Sequence, residues 1–181
     1  HLLTEKSVMA HGTQLTSDDL TTLRQRGTTI AHCPISNVYF GNGVLAVRKL
    51  LAYGNNVGLG SDISGGYSPS LYHNIRQTIK SSQMLTDGVD SSLPTATRGV
   101  KDSRITMANA FYLATVGGAK ALQLKVGKIA PGFQADFQIV NGHQALMKLS
   151  IDDIFQRLMY QTEQQYIQSV YVAGKRVYER E

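Results

Sequence analysis

The chain has 181 residues, of which 42% are apolar and 17% are charged, so it can bury a core and is not disordered by composition. Its length predicts one domain, or one domain with a small appendage. The net charge of +5 does not indicate nucleic-acid binding, because lysine and arginine are scattered along the whole sequence. The single cysteine, Cys33, excludes an internal disulfide and favours a reducing compartment such as the cytoplasm. No apolar run is long enough to span a membrane.

The first part of the chain alternates between strand and helix patterns. Three short apolar runs predict β-strands, at 7–10, 28–31 and 57–60. A helical pattern follows each run, over 17–26, 44–51 and 69–79, and a loop is predicted at 35–43. Three successive βα units predict an α/β fold with a parallel sheet and helices packed on it.

The rest of the chain changes character. Residues 86–105 are polar and predict a flexible insertion. Further elements are predicted as helices at 107–113 and 118–122, a strand at 135–140, a helix at 151–160 and a hairpin over 170–178. The pair Gly117-Gly118 either breaks the helical part or lets two helices approach closely. We therefore divide the chain into 1–125 and 126–181.

Each of the three predicted strands ends in a polar side chain, namely His11, His32 or Asp62. Parallel sheets place their ligands at the carboxyl edge of the strands, so these side chains could point into one site. Imidazole and carboxylate suit a divalent metal ion and metal-assisted hydrolysis, although a catalytic metal needs at least three protein ligands. The alternative for each residue is structural: a histidine bonded to a backbone carbonyl, or an aspartate that forms a turn.

The other candidate residues are interpreted as structural or superficial. Cys33 follows His32 on a strand, so their side chains point to opposite faces and are poorly placed to share a proton. His73 is predicted on the surface of a helix, and His143 in a solvated turn.

Three motifs resemble the later strands of the amidohydrolase superfamily. They read Val-Met-Ala-His-Gly at 8–12, Ala-His-Cys-Pro-Ile-Ser-Asn at 31–37 and Gly-Leu-Gly-Ser-Asp-Ile-Ser-Gly-Gly-Tyr-Ser at 58–68. The third motif and the helix after it are similar to those of the guanine deaminase family within that superfamily. Residues 127–137 and 170–177 resemble its closing β-segments. The resemblance covers nearly all of the chain except 86–105.

The resemblance implies a fold and a set of roles. Residues 1–125 would form the last three strands of a metal-dependent (β/α)8 barrel with their helices, and 126–181 would supply β-strands and a helix, including part of a small composite sandwich. Asp62 would be the metal ligand at the end of the eighth strand and would accept a proton from the attacking water. His11 would be the sixth-strand histidine beside the metal, orienting the water or the tetrahedral intermediate. His32 would be structural.

The implied reaction is zinc-dependent hydrolysis of guanine to xanthine and ammonia by a homodimeric enzyme. The other zinc ligands, a proton-transferring glutamate and the purine-binding residues would precede His1, so we expect a processed or truncated piece that is inactive alone. Three strands cannot close a barrel, which predicts a companion: the N-terminal part of the protein, or another copy. Two alternatives remain open: a related aminohydrolase that acts on another heterocycle, and a non-catalytic interaction module of the same fold.

Overall fold

The computed structural model describes residues 2–142 and 149–181. The chain divides into two compact units, His1–Leu124 and Lys125–Glu181. The first unit contains β1 (Val8–Ala10), α1 (Ser17–Arg26), β2 (Thr29–His32), α2 (Pro34–Tyr39), α3 (Val47–Ala52), β3 (Asn56–Leu59), α4 (Leu71–Asp87), α5 (Met107–Tyr112), a π-helix (Leu113–Gly117) and α6 (Gly118–Ala121). The second contains β4 (Phe137–Val140), α7 (Ile151–Gln161), a 3-10 turn (Gln164–Tyr166), β5 (Ile167–Val172) and β6 (Lys175–Glu179). Across these described segments, none of the helices combines the length and apolarity that crossing a membrane requires.

The first unit is built on a parallel sheet in the order β1-β2-β3. Ile30 in the central strand pairs with Met9 on one side and with Val57 on the other. Ile30 and Val57 are buried, as expected for strands covered by connecting helices. The predicted α/β arrangement of three successive βα units is confirmed.

Strand β1 lies at the edge of this sheet. Among the described residues, no strand pairs with its outer side, and Val8 and Met9 are exposed. A groove of about 250 Å³ lies beside it, and its lining includes the apolar side chains of Leu3, Leu15 and Leu23. The first unit therefore leaves both strand hydrogen-bonding groups and apolar surface uncovered at β1.

The segment 35–43 is not the loop that its sequence predicts. Helix α2 occupies Pro34–Tyr39, and the next helix begins only at Val47. Six residues are too few to show a helical period, and no side chain caps the start of α2. Proline in the first turn and burial of the residues from Pro34 to Asn37 stabilise this helix instead.

The polar segment predicted to start at residue 86 begins two residues later. Helix α4 continues to Asp87, and Gly88 ends it with a φ of 68°. The segment then folds back on the helix end: Arg104 forms a 2.6 Å ion pair with Asp87, and Arg98 Nε donates to the Asp87 carbonyl over 2.8 Å. These contacts connect the two ends of the polar segment.

The pair Gly117-Gly118 neither breaks the helix nor brings two helices together. Helical backbone runs through both residues, from the π-helix into α6. A Cβ atom on Gly117 would collide with the carbonyl oxygen of Val57, and one on Gly58 would lie 3.4 Å from the Gly118 Cα. The glycines thus let a helix pack directly on strand β3, which a local pattern does not indicate.

The second unit contains an antiparallel sheet in the order β4-β5-β6. The predicted hairpin is confirmed: Ala173 and Gly174 join β5 to β6, both with positive φ (50° and 74°), as in a type I′ turn. Asp136 Oδ1 accepts a 2.8 Å hydrogen bond from Ala173 N, so the residue before β4 stabilises the turn. The strand predicted at 135–140 begins at Phe137.

The contact between Gly117 and β3 predicts a stability difference between two neighbouring substitutions. In the full-length protein, Gly117→Ala should lower the free energy of unfolding by about 1–3 kcal/mol. The new methyl group would collide with backbone atoms of β3, which cannot move away. Gly118→Ala is the matched control, since its Cβ would meet nothing closer than the Leu113 carbonyl oxygen at 3.8 Å. Urea unfolding of both variants measures the difference, and equal midpoints would contradict the prediction.

Candidate active site

The carboxyl edge of the parallel sheet brings His11 and Asp62 together. His11 follows β1 directly, and Asp62 comes three residues after Leu59, the end of β3. His11 Nε2 and Asp62 Oδ2 lie 3.8 Å apart, and 37% of each side chain is exposed. An imidazole nitrogen and a carboxylate oxygen therefore face one another at a surface that a ligand can reach.

Both residues have a left-handed backbone conformation, with φ of 68° for His11 and 47° for Asp62. This conformation is uncommon outside glycine, although histidine and aspartate are among the residues that adopt it most often. It costs about 1–3 kcal/mol per residue, and such strain clusters at functional sites. His11 N donates to the Ala31 carbonyl over 2.9 Å, so the sheet holds this residue at the turn.

The turn after Asp62 requires glycine at positions 65 and 66. Gly66 N donates to the Asp62 carbonyl over 2.5 Å. A Cβ atom on Gly66 would collide with the Ser61 carbonyl oxygen, and one on Gly65 would lie 2.7 Å from Asp62 Oδ2. Glycine thus allows the chain to turn tightly beside the Asp62 carboxylate.

His32 does not join this pair. It is the last residue of β2 and lies on the same strand face as Ile30, which lines the groove beside β1. The side chain is 2% exposed, and its Nδ1 atom has no hydrogen-bond partner among the described residues. Burial lowers the pKa of His32 to about 3, so the ring is neutral at physiological pH. Of the three strand-end residues, the structure therefore brings together only His11 and Asp62.

Cys33 lies close to the site, but its thiol has low reactivity. Its thiol is buried and donates to the Ala31 carbonyl over 3.5 Å. Burial raises the pKa of the Cys33 thiol, a backbone hydrogen bond from His11 opposes that rise, and the charge of Asp62 adds to it. A thiol held protonated in this way is a poor nucleophile.

Asn37 is the functional candidate that the sequence pattern did not single out. It lies on α2, is 1% exposed, and its Oδ1 atom is 2.8 Å from His11 Nδ1. Asn37 belongs to the motif at 31–37, which by itself implies no role for this residue. A functional role for Asn37 is indicated only by its position on a short helix that packs against His11. The sequence signal for that helix is limited to Pro34.

The remaining histidines lie elsewhere. His73 is half-buried rather than superficial, and its Nδ1 atom is 2.7 Å from Ser68 Oγ. His143 is outside the described residues, so its predicted turn stays a prediction.

The donor groups present are suited to part of a metal site. Within residues 2–142 and 149–181, no group of three or more histidine, cysteine, aspartate or glutamate side chains could hold a metal ion. Asp62 offers an oxygen donor and His11 a nitrogen donor, both of which zinc accepts. A catalytic zinc site needs three protein ligands, so these two residues would require a ligand from outside the described residues.

Comparison with known proteins defines the class. The model of the amidohydrolase family matches residues 1–177, and the chain belongs to this family. A guanine deaminase from Dictyostelium discoideum is 35% identical over 185 residues, which cover 98% of this chain and 39% of that protein. A 5-methylthioadenosine/S-adenosylhomocysteine deaminase from Pyrococcus abyssi is 34% identical over 144 residues, or 80% of this chain and 31% of that protein.

Solved structures give the same result. The guanine deaminase of E. coli has a TM-score of 0.81 and 28% identity, over 99% of this chain and 41% of that one. The guanine deaminase of C. acetobutylicum, with guanine bound in its active site, has a TM-score of 0.79 and 30% identity, and the match covers 94% of this chain and 39% of that one. An adenosine deaminase from Xanthomonas campestris with bound zinc shares the fold, with a TM-score of 0.78 and 23% identity over 97% and 37%. The chain thus spans about two-fifths of the length of the guanine deaminases it matches.

The burial of His32 predicts a pH dependence of stability. Between the unfolded value near 6.5 and the folded pKa of about 3, the unfolded state binds the proton and the folded state does not. Stability should therefore fall as the pH drops through this range, by up to about 1.4 kcal/mol per pH unit from His32 alone. The check is urea unfolding of wild type and His32→Leu in the gene-encoded protein between pH 4 and 7. A wild-type slope no steeper than the variant's would show that His32 is not the cause.

Proposed function

We propose that the chain is the C-terminal part of a zinc-dependent guanine deaminase, which hydrolyses guanine to xanthine and ammonia. The observation that carries this proposal is the pair His11 and Asp62, 3.8 Å apart at the carboxyl edge of the sheet, in a chain similar to guanine deaminases over 98% of its length. The guanine bound in the C. acetobutylicum structure supports guanine as the substrate class.

In this proposal Asp62 has two tasks. Its carboxylate would hold the zinc ion and would also accept a proton from the attacking water. A bound zinc ion would lower the pKa of water to about 7, so that hydroxide is available at neutral pH. The 37% exposure of the Asp62 side chain leaves it accessible to both the metal and the water.

His11 orients the water and the oxygen that becomes bonded to the purine ring. Its Nε2 atom faces Asp62, whereas its Nδ1 atom points to Asn37, so only Nε2 is directed to the reacting groups. The other zinc ligands, the glutamate that transfers protons and the residues that hold the purine belong to a part of the protein outside this chain.

The same proposal accounts for the exposed edge of the parallel sheet. Strands β1 to β3 would be the last three strands of a (β/α)8 barrel, and β4 to β6 part of a small sandwich. A barrel requires a fixed number of strands with matching stagger, so β1 would pair with a strand supplied by the rest of the protein. The exposed Val8 and Met9 and the apolar groove beside β1 support such a neighbour. The buried free thiol of Cys33 agrees with a cytoplasmic location. The homodimeric state rests on the family resemblance alone.

Two other functions are distinguishable by assay. The identity to the Pyrococcus abyssi protein favours, as a second candidate, an aminohydrolase that acts on another heterocycle. Ammonia release from guanine, adenosine and 5-methylthioadenosine by the gene-encoded protein separates these possibilities. A non-catalytic module would release ammonia from none of them, and Asp62 would then only form a turn.

Replacement of Asp62 tests the proposed chemistry. Asp62→Asn in the gene-encoded protein should lower kcat for guanine by roughly 10²- to 10⁴-fold, because a proton acceptor and a charged metal ligand are both lost. Bound zinc, measured by elemental analysis, should fall as well. Asp90→Asn is the matched control, since it removes the same charge from the exposed polar segment after α4. Unchanged zinc content and activity in Asp62→Asn would support the non-catalytic module.

The incomplete donor set predicts the behaviour of the chain by itself. The 181 residues expressed alone should release no xanthine from guanine and should bind zinc weakly, because Asp62 would supply only one of the three ligands that a catalytic zinc site needs. The uncovered edge of β1 should also prevent a well-dispersed NMR spectrum of a monomer. Xanthine production by the purified chain would refute the proposal that its catalytic site is incomplete.

A further inference from the structure

One buried side chain, that of Asn37, contacts one of the two ring nitrogens of His11. The two ring nitrogens of His11 have different surroundings: Nδ1 is 2.8 Å from Asn37 Oδ1, and Nε2 is 3.8 Å from Asp62 Oδ2. Asn37 is 1% exposed, whereas 37% of the His11 side chain is accessible. The contact to Asn37 is therefore shielded from water, and the side of the ring toward Asp62 is open.

The chemistry of the amide decides the tautomer of the ring. An amide oxygen only accepts hydrogen bonds, so the His11 nitrogen that faces it must carry the hydrogen. In a neutral ring the other nitrogen, Nε2, is then free of hydrogen and can accept one. Asn37 thus leaves Nε2 as the only ring nitrogen that can exchange a proton with groups near Asp62.

Asn37 is itself held in place by backbone hydrogen bonds. Its N–H donates to the Cys33 carbonyl and its carbonyl accepts from Asn42 N, each over 2.9 Å. The preceding residue, Ser36, lies against the turn after Asp62, since a Cβ atom on Gly65 would be 3.3 Å from Ser36 Oγ. Helix α2 therefore contacts both halves of the candidate site and can keep their geometry fixed.

We propose that Asn37 is a positioning residue for the proposed deaminase: its amide oxygen holds the hydrogen of His11 on Nδ1 and orients the ring so that Nε2 faces the reacting groups. The expected effect on catalysis rests on the proposed function, whereas the tautomer of the His11 ring does not depend on it. The opposite amide orientation would place Nδ2 against His11 Nδ1 and leave the hydrogen on Nε2. That arrangement directs a donor rather than an acceptor toward Asp62, so the two are distinguishable by experiment.

The experiment measures the ring of His11 directly in the gene-encoded protein. Histidine labelled with ¹⁵N is incorporated, and long-range ¹H–¹⁵N correlation spectra identify the protonated nitrogen, with the His11 signals assigned by their loss in His11→Gln. Wild type should show hydrogen on Nδ1. Asn37→Leu, which removes the acceptor and keeps the branching at Cγ, should shift the population toward the Nε2-protonated form. Asn37→Asp keeps an acceptor and should retain hydrogen on Nδ1.

The matched control is Asn55→Leu. Asn55 is also a buried asparagine with one side-chain hydrogen bond, from Nδ2 to the Leu20 carbonyl over 2.8 Å, and it precedes β3 at the opposite end of the sheet. Asn55→Leu removes a buried amide, as Asn37→Leu does, but it should leave the His11 spectrum unchanged. Kinetically, Asn37→Leu should lower kcat for guanine roughly 10- to 100-fold with little change in KM, and Asn37→Asp should restore part of it.

Each outcome has a defined meaning. Hydrogen on Nε2 of wild-type His11, or an Nδ1-protonated ring that persists in Asn37→Leu, overturns the proposal. An equal drop in kcat for Asn37→Leu and Asn55→Leu also overturns it, since a general loss of stability would then explain both. If guanine is not a substrate, the proposed function fails, and the spectra alone still decide the role of Asn37.

Discussion

The parallel pairing of three short strands is the constraint on which the candidate site depends. Ala10 pairs with Ala31, and His32 with Leu59, so the two ladders run in the same direction and end at one edge of the sheet. His11 and Asp62 are far apart in sequence, and they come within 3.8 Å only because each leaves its strand at that edge. A shift of one residue in either ladder would move side chains to the opposite face and separate the pair.

The pair is then held by backbone geometry and by a neighbouring helix. Both residues have positive φ, which turns the chain sharply at the sheet edge and brings the side chains toward each other. Glycine at 65 and 66 allows the tight turn beside Asp62, and α2 supplies Asn37 to the far side of the His11 ring. Strain at two positions is thus offset by contacts from several elements, as is usual where a site must be rigid.

The proposed function would explain both the uncovered edge of β1 and the incomplete set of metal donors. A sheet of three parallel strands leaves an edge exposed, and one aspartate with one histidine does not reach the three ligands of a catalytic zinc. The chain spans 39% of the length of its Dictyostelium discoideum relative, and in the proposed deaminase the remaining strands and ligands would come from the rest of the protein. In contrast, His32 and Cys33 are buried, and burial keeps the first neutral and the second protonated.

Features that depend on neighbours along the chain are predictable from the amino-acid sequence. These include the three strands, the helix predicted at 17–26, the hairpin at Ala173-Gly174, and the polar residues at the strand ends. Short-range hydrogen bonds and hydrophobic periodicity dictate all of them, so a local pattern is enough. Four features follow only from tertiary contacts: α2 is a helix, Gly117 packs on β3, His32 is buried apart from the His11–Asp62 pair, and Asn37 contacts His11. Each of these features depends on burial or on contacts between residues that are distant in sequence, so a short segment of the sequence does not reveal it.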